Sequence, residues 1–232
     1  MTQSPSFSVA GIYEALAQQP PKGNGAGRAL MIVSPKRKRG VTTAARVLAE
    51  AAQGAATYAI DLDLKRNALA KLLGGEVGLL GPRIDGALSG HLFYTLRDAS
   101  GAVVRERETA FSYRRVGRTR IFAGVFDATA LAPGVRLTIS AGAAYWDAAR
   151  AGGATVVVDA PALERSQIAL RVARHMDGVV LVVGAEPGDA PAAVSAKDAL
   201  VAAGANVIGL VYAGAPAPAP VAAIERLLRQ AG

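Results

Sequence analysis

Short runs rich in Val, Ile and Leu alternate along this chain with longer Ala/Leu stretches of helical period, the pattern of an α/β protein. Ala29 to Ser34, Thr57 to Asp63, Val135 to Ser140, Ala154 to Asp159, Gly178 to Val183 and Asn206 to Tyr212 predict strands. Residues 7–18, Thr42 to about Ala52, 164–175, 190–203 and 219–230 predict helices. The strand runs are continuously apolar rather than alternating, which predicts a mostly parallel sheet covered by helices on both faces.

Two stretches break the rhythm. Residues 18–27, QQPPKGNGAG, read as a flexible connection between the first helix and the first strand. Its glycines precede a strand instead of following one, so they make a poor dinucleotide fingerprint. From His91 to Phe126, apolar alternation with turns at Asp98 to Gly101 and at Gly117-Arg118 predicts successive antiparallel β-hairpins. The expected organisation is therefore an N-terminal helix and flexible linker over residues 1–27. A P-loop-like α/β domain over 28–232 follows, with a hairpin insertion at about 91–126.

Composition removes several chemistries. There are no cysteines and two distant histidines, His91 and His175, which excludes a disulfide framework, a Cys-ligated zinc site and a cysteine nucleophile. No basic start followed by an apolar run opens the chain, and no apolar stretch nears the ~18 residues of a membrane span. A cytoplasmic protein is the expectation. The net charge of +8 resides in two places: Lys36, Arg37, Lys38 and Arg39 supply +4, and residues 83–120, with eight Arg against four acids, supply the rest. An anionic partner is expected at one of them.

The tight basic run sits where the first strand gives way to the first long helix, the place where a phosphate-binding loop uses backbone N–H groups, a lysine and a metal-holding Ser/Thr. The frame G-x-x-x-x-G-K-T falls on Pro35 to Thr42 and keeps Gly40 and Thr42. Pro35 replaces its first glycine and Val41 its lysine.

Five blocks nevertheless resemble the deviant-Walker family of P-loop ATPases and, within it, the CpsD/CapB-like bacterial tyrosine kinases linked to exopolysaccharide synthesis. They are RALMIVSP leading into GVTTAARVLA; YAIDLDLKR with ALAKLL after it; GALSG at 86–90; TVVVDAP at 155–161; and the runs MDGVVLVV and AGANVIGLV. The resemblance spans roughly 28–90 and 150–214. It implies an α/β fold with a mostly parallel P-loop NTPase-like sheet, ATP or ADP with magnesium as cofactor, and a cytoplasmic segment of a membrane polysaccharide co-polymerase as partner. Carried onto this chain, it makes Asp61, Asp63 and Asp159 the catalytic acids. Lys36, Arg37, Lys38, Arg39, Gly40, Thr42 and Thr43 become the nucleotide- or anion-binding loop, and Thr42, Asp61 and Asp159 the magnesium corner if nucleotide binds.

The departures shape the functional expectation. Val41 can neither bridge terminal phosphates nor stabilise transferring charge. The chain is therefore read as a noncatalytic or weakly active relative, a regulatory or scaffold subunit of a polysaccharide polymerisation/export complex recruited to the inner face of the membrane. Lys36 sits where MinD/ParA-like relatives place a signature lysine, so the alternatives are an ATPase or tyrosine kinase using an atypical basic loop, or a ParA/MinD-like surface-binding ATPase. If the loop is inactive, no cofactor is expected. The last residues contain no tyrosine, so an autophosphorylated tail is not expected, and a homo-oligomer stays open. Few interleaved aromatics make nucleic acid a poor partner. Strand-end aspartates also have a plainer role, capping the turns that follow them.

Overall fold

The computed structural model describes residues 7–213 apart from 24, 76 and 105–109. The helix expected at 219–230 and the second half of the AVVRERE strand lie outside the described residues. In chain order the first elements are α1 (Val9–Ala17), β1 (Arg28–Val33), α2 (Val41–Ala51), β2 (Thr57–Asp61), α3 (Ala68–Gly74), β3 (Leu79–Asp85), β4 (Tyr94–Arg97) and β5 (Val103–Val104). There follow β6 (Phe111–Val116), β7 (Ile121–Phe126), β8 (Arg136–Ile139), α4 (Ala144–Ala151), β9 (Thr155–Asp159), α5 (Ile168–Ala173), β10 (Gly178–Gly184), α6 (Asp189–Ala202) and β11 (Val207–Ala213).

Eight strands form the central sheet in the order β11-β10-β1-β9-β2-β7-β6-β3. Pairing is parallel from β11 across to β7, then antiparallel through β6 to β3. In β1, Ala29, Met31 and Val33 point into a layer that holds α4, α5 and α6, whereas Leu30 and Ile32 point at α1, α2 and α3. A strand whose two faces are both covered must be apolar at every position, which is why its sequence shows no alternation.

Both hairpins fold as the turns predict, but into different sheets. β4 and β5 join β8 in a separate three-stranded antiparallel sheet, and β6 and β7 extend the central sheet through the β2–β7 pairing. Val135 to Ser140, expected as a strand of the parallel sheet, pairs with β4 instead. The small sheet closes over an aromatic cluster in which Phe93 meets Phe111 and Tyr145 with ring centroids 5.0 and 4.9 Å apart. Fully buried Trp146 lies beside it.

Residues 18–27, expected to be slack, are tied down. The Lys22 N–H donates to Asp177 Oδ1 at 2.7 Å and its ammonium to the Arg174 carbonyl at 2.6 Å. A Cβ on Gly27 would come within 2.5 Å of the Ala154 carbonyl oxygen, so the chain passes here only as glycine.

At the far edge of the sheet, Gly81, Pro82 and Arg83 of β3 face the single position of Arg114 on β6, a bulge that shifts the register between Leu80 and Ile84.

Candidate functional site

β1, β2 and β9 deliver the candidate residues to one end of the sheet, outside the carboxyl ends of parallel strands where open α/β sheets place ligands. A cleft of about 410 Å³ opens there, floored by Thr42, Asp61 and Asp159 and walled by Arg37, Lys38 and Arg39. Gly40 turns the loop into α2 with a φ of 77°, a conformation that a side chain would resist. Thr43 lies one residue further along α2 and does not line the cleft. Lys36 is turned away from it, toward Asp189.

Asp61 and Asp159 are register partners on adjacent strands. Asp61 accepts the N–H groups of Asp63 at 2.7 Å and Ala68 at 2.8 Å, so it caps the turn and the start of α3. Burial still raises its carboxyl above the ordinary range. Asp63 lines the cleft too, ion-paired with Arg165 and 3.9 Å from Arg66 Nε.

Asp159 is the most perturbed acid of the cleft. Burial, then the neighbouring Asp61 carboxylate, pushes it up to about 8, against a lowering hydrogen bond from Thr42. A folded pKa above the unfolded value near 3.9 means that the native state holds the proton more tightly, so the stability contributed by the protonated form fades as pH rises from about 4 to about 8. Asp159→Asn is expected to flatten this decline, raising the thermal midpoint at about pH 9 and leaving it nearly unchanged at about pH 3, below the unfolded pKa. An undiminished slope in the variant would reject Asp159 as its source.

Thr42 and Asp159 are the oxygen donors that would hold a magnesium ion carried in by a nucleotide, whereas Asp61, expected at the same corner, has both oxygens on backbone N–H groups. Among the described residues no group of three or more His, Asp or Glu side chains forms a self-sufficient metal cage. The phosphate cradle does not fit. Pro35 carries no N–H, the Arg37 N–H already donates to Glu164 Oε1 at 2.7 Å, and Val41 packs on the apolar layer beneath α2. Arg39, the best placed substitute cation, donates to Glu186 at 3.0 and 2.6 Å and to Asp189 at 3.2 Å.

Sequence reasoning missed these acidic partners and Arg165. Each lies more than a hundred residues from the side chain that it meets, and no local spacing announces such pairs.

No protein-family model matches the sequence, and no curated protein matches it. Among solved structures, the chimerical protein CapA2B2 matches at a TM-score of 0.55 and 16% identity, covering 90% of this chain and 82% of its own. McdA from Cyanothece matches in its apo form, at a TM-score of 0.54 and 16% identity over 88% of this chain and 81% of its own. A single-substitution variant of McdA in complex with ATP gives 0.55 and 15% identity over 89% and 81%. Similarity at this level establishes the fold.

Proposed function

Starting from a chain with the fold of the deviant-Walker P-loop ATPases, we propose that it is a noncatalytic or weakly active member of that group. In this reading it serves as a regulatory or scaffold subunit of a polysaccharide polymerisation/export complex. The observation that carries the first half is Val41, an apolar side chain at the start of α2 where phosphoryl transfer needs a bridging cation. Lys36 and Arg39, the side chains that would compensate, are engaged by acids from the other side of the loop.

The polysaccharide setting is supported by the resemblance of the five sequence blocks to those of exopolysaccharide tyrosine kinases. Recruitment to the membrane comes through a partner in this reading, since no helix among the described residues is long and apolar enough to cross a membrane. The McdA variant is solved with ATP; the cleft at the strand ends here keeps Thr42 and Asp159, which supports residual nucleotide contact rather than turnover.

Phosphate release from ATP with magnesium is expected to stay at background, and the protein is expected to retain a polysaccharide co-polymerase from detergent-solubilised host membranes. Magnesium-dependent turnover that Asp159→Ala abolishes would overturn the noncatalytic reading. Failure to retain the co-polymerase would overturn the scaffold role.

A further inference from the structure

The loop between β1 and α2 is already liganded by the protein's own acids. Glu164, just after β9, accepts the Arg37 backbone N–H and lies 3.3 Å from its Nε. Glu186 receives both ends of the Arg39 guanidinium fork. Asp189, the first residue of α6, places one oxygen 3.1 Å from Lys36 Nζ and the other 3.1 Å from Arg39 Nε, with its side chain 4% exposed. Lys36 and Arg39 in turn hold its carboxyl below the ordinary range, against the upward push of burial.

The backbone is shaped around this arrangement. A Cβ on Gly184, the last residue of β10, would stand 2.4 Å from Asp189 Oδ2 and 2.5 Å from Arg39 Nε, so the strand ends in the one residue that leaves the pair room. A backbone N–H and a guanidinium fork on carboxylate oxygens use the same donors that would otherwise meet phosphate oxygens.

The ion pairs agree. Lys36 meets Asp189, Arg37 meets Glu164, and Arg39 meets both Glu186 and Asp189. Three of the four cations in the basic run are thus matched by acids in the fold.

We propose that Glu164, Glu186 and Asp189 are internal ligands occupying the loop's phosphate-binding donors, and that they determine its specificity by excluding polyphosphate anions. The proposal rests on reading the loop as a degenerate phosphate loop and assigns the acids, as well as the missing lysine, to its loss of affinity. The competing account is that Asp189 only closes the first turn of α6, where it accepts the Glu186 N–H at 3.0 Å, and that the ion pairs merely fasten the loop.

Calorimetry with inorganic pyrophosphate, without magnesium and at low ionic strength, separates the two accounts. Glu186→Gln removes an exposed carboxylate that no buried packing depends on and is expected to raise pyrophosphate affinity severalfold. Adding Asp189→Asn should bring the gain to at least about tenfold. Replacing Lys36 and Arg39 by Met in the same background should abolish it. Unchanged or weaker binding by folded Glu186→Gln would overturn the proposal, as would a gain that survives loss of Lys36 and Arg39. Should Asp189→Asn fail to fold, Glu186→Gln alone decides. ATP turnover by the unmodified protein would defeat the noncatalytic reading without touching this affinity comparison, whereas unchanged affinity in an inactive protein would defeat the internal ligands alone.

Discussion

Replacing Asp177 with alanine is expected to lower the free energy of unfolding by about 3–5 kcal/mol, a large share of the ~5–15 kcal/mol that holds a domain together. The carboxylate is wholly buried and joins three separate segments. Oδ1 accepts the Lys22 N–H, and Oδ2 accepts the Ala29 N–H at 2.7 Å and Arg150 Nε at 2.9 Å. Arg150, 1% exposed, also bonds Asp147 and the His175 carbonyl. Removing the acid leaves the buried guanidinium with only the exposed Asp147 carboxylate as counter-charge, and two backbone donors without acceptors. Urea titration of the variant measures the loss. The double replacement Asp177→Leu with Arg150→Met should cost less than Asp177→Ala, because no charge is then stranded. A loss below about 1 kcal/mol for Asp177→Ala would show that the charge is not stranded.

Val41→Lys is expected to raise the affinity for ATP with magnesium by about 10- to 100-fold, the worth of one charge-assisted hydrogen bond of ~1.5–3 kcal/mol. Val41 borders the cleft while resting on the apolar layer under α2, so a longer side chain at this position can keep its methylenes packed and send its ammonium toward bound phosphate. Titration calorimetry reads the gain. No gain would place the obstruction in Pro35 and the acid-held loop rather than in the missing lysine. Comparing Val41→Lys with and without Glu186→Gln would then locate it.

The elements that the sequence made legible are those whose own residues determine their surroundings. β1, β9 and β10 are apolar through their middles because each is covered twice, and a run such as GVVLVV has nowhere to go but the middle of a sheet. The hairpin turns were equally visible, since Asp98 to Gly101 and Gly117-Arg118 carry their own turn chemistry. β3 and α4 were not. β3 contains Gly81-Pro82, which reads as a breaker. α4 has only eight residues, and its two large aromatics gain meaning only from Phe93 and the small sheet. β8 was legible as a strand but its sheet was not, because its partner choice depends on β4, far earlier in the chain.

At the site, the strand-end aspartates and the loop could be placed by counting from the strands. Their electrostatic state could not. Asp63 lies three residues from Arg66 but meets Arg165 more closely, and four consecutive cations looked like an electropositive patch until Glu164, Glu186 and Asp189 arrived from far along the chain. Local sequence reports charge; folding reports where that charge is spent.

The kinked end of the central sheet has a bearing on how copies of this chain can meet. β3 is an outermost strand, and at its middle Pro82 offers no N–H while Gly81 and Arg83 bow the backbone off the ladder. A second molecule approaching that side finds a discontinuous row of donors and cannot lengthen the sheet by laying a strand against it. At this edge, self-association in concentrated solution is therefore directed to side-chain surfaces, where it is governed by charge and salt, and away from the backbone pairing through which exposed sheets grow into fibres.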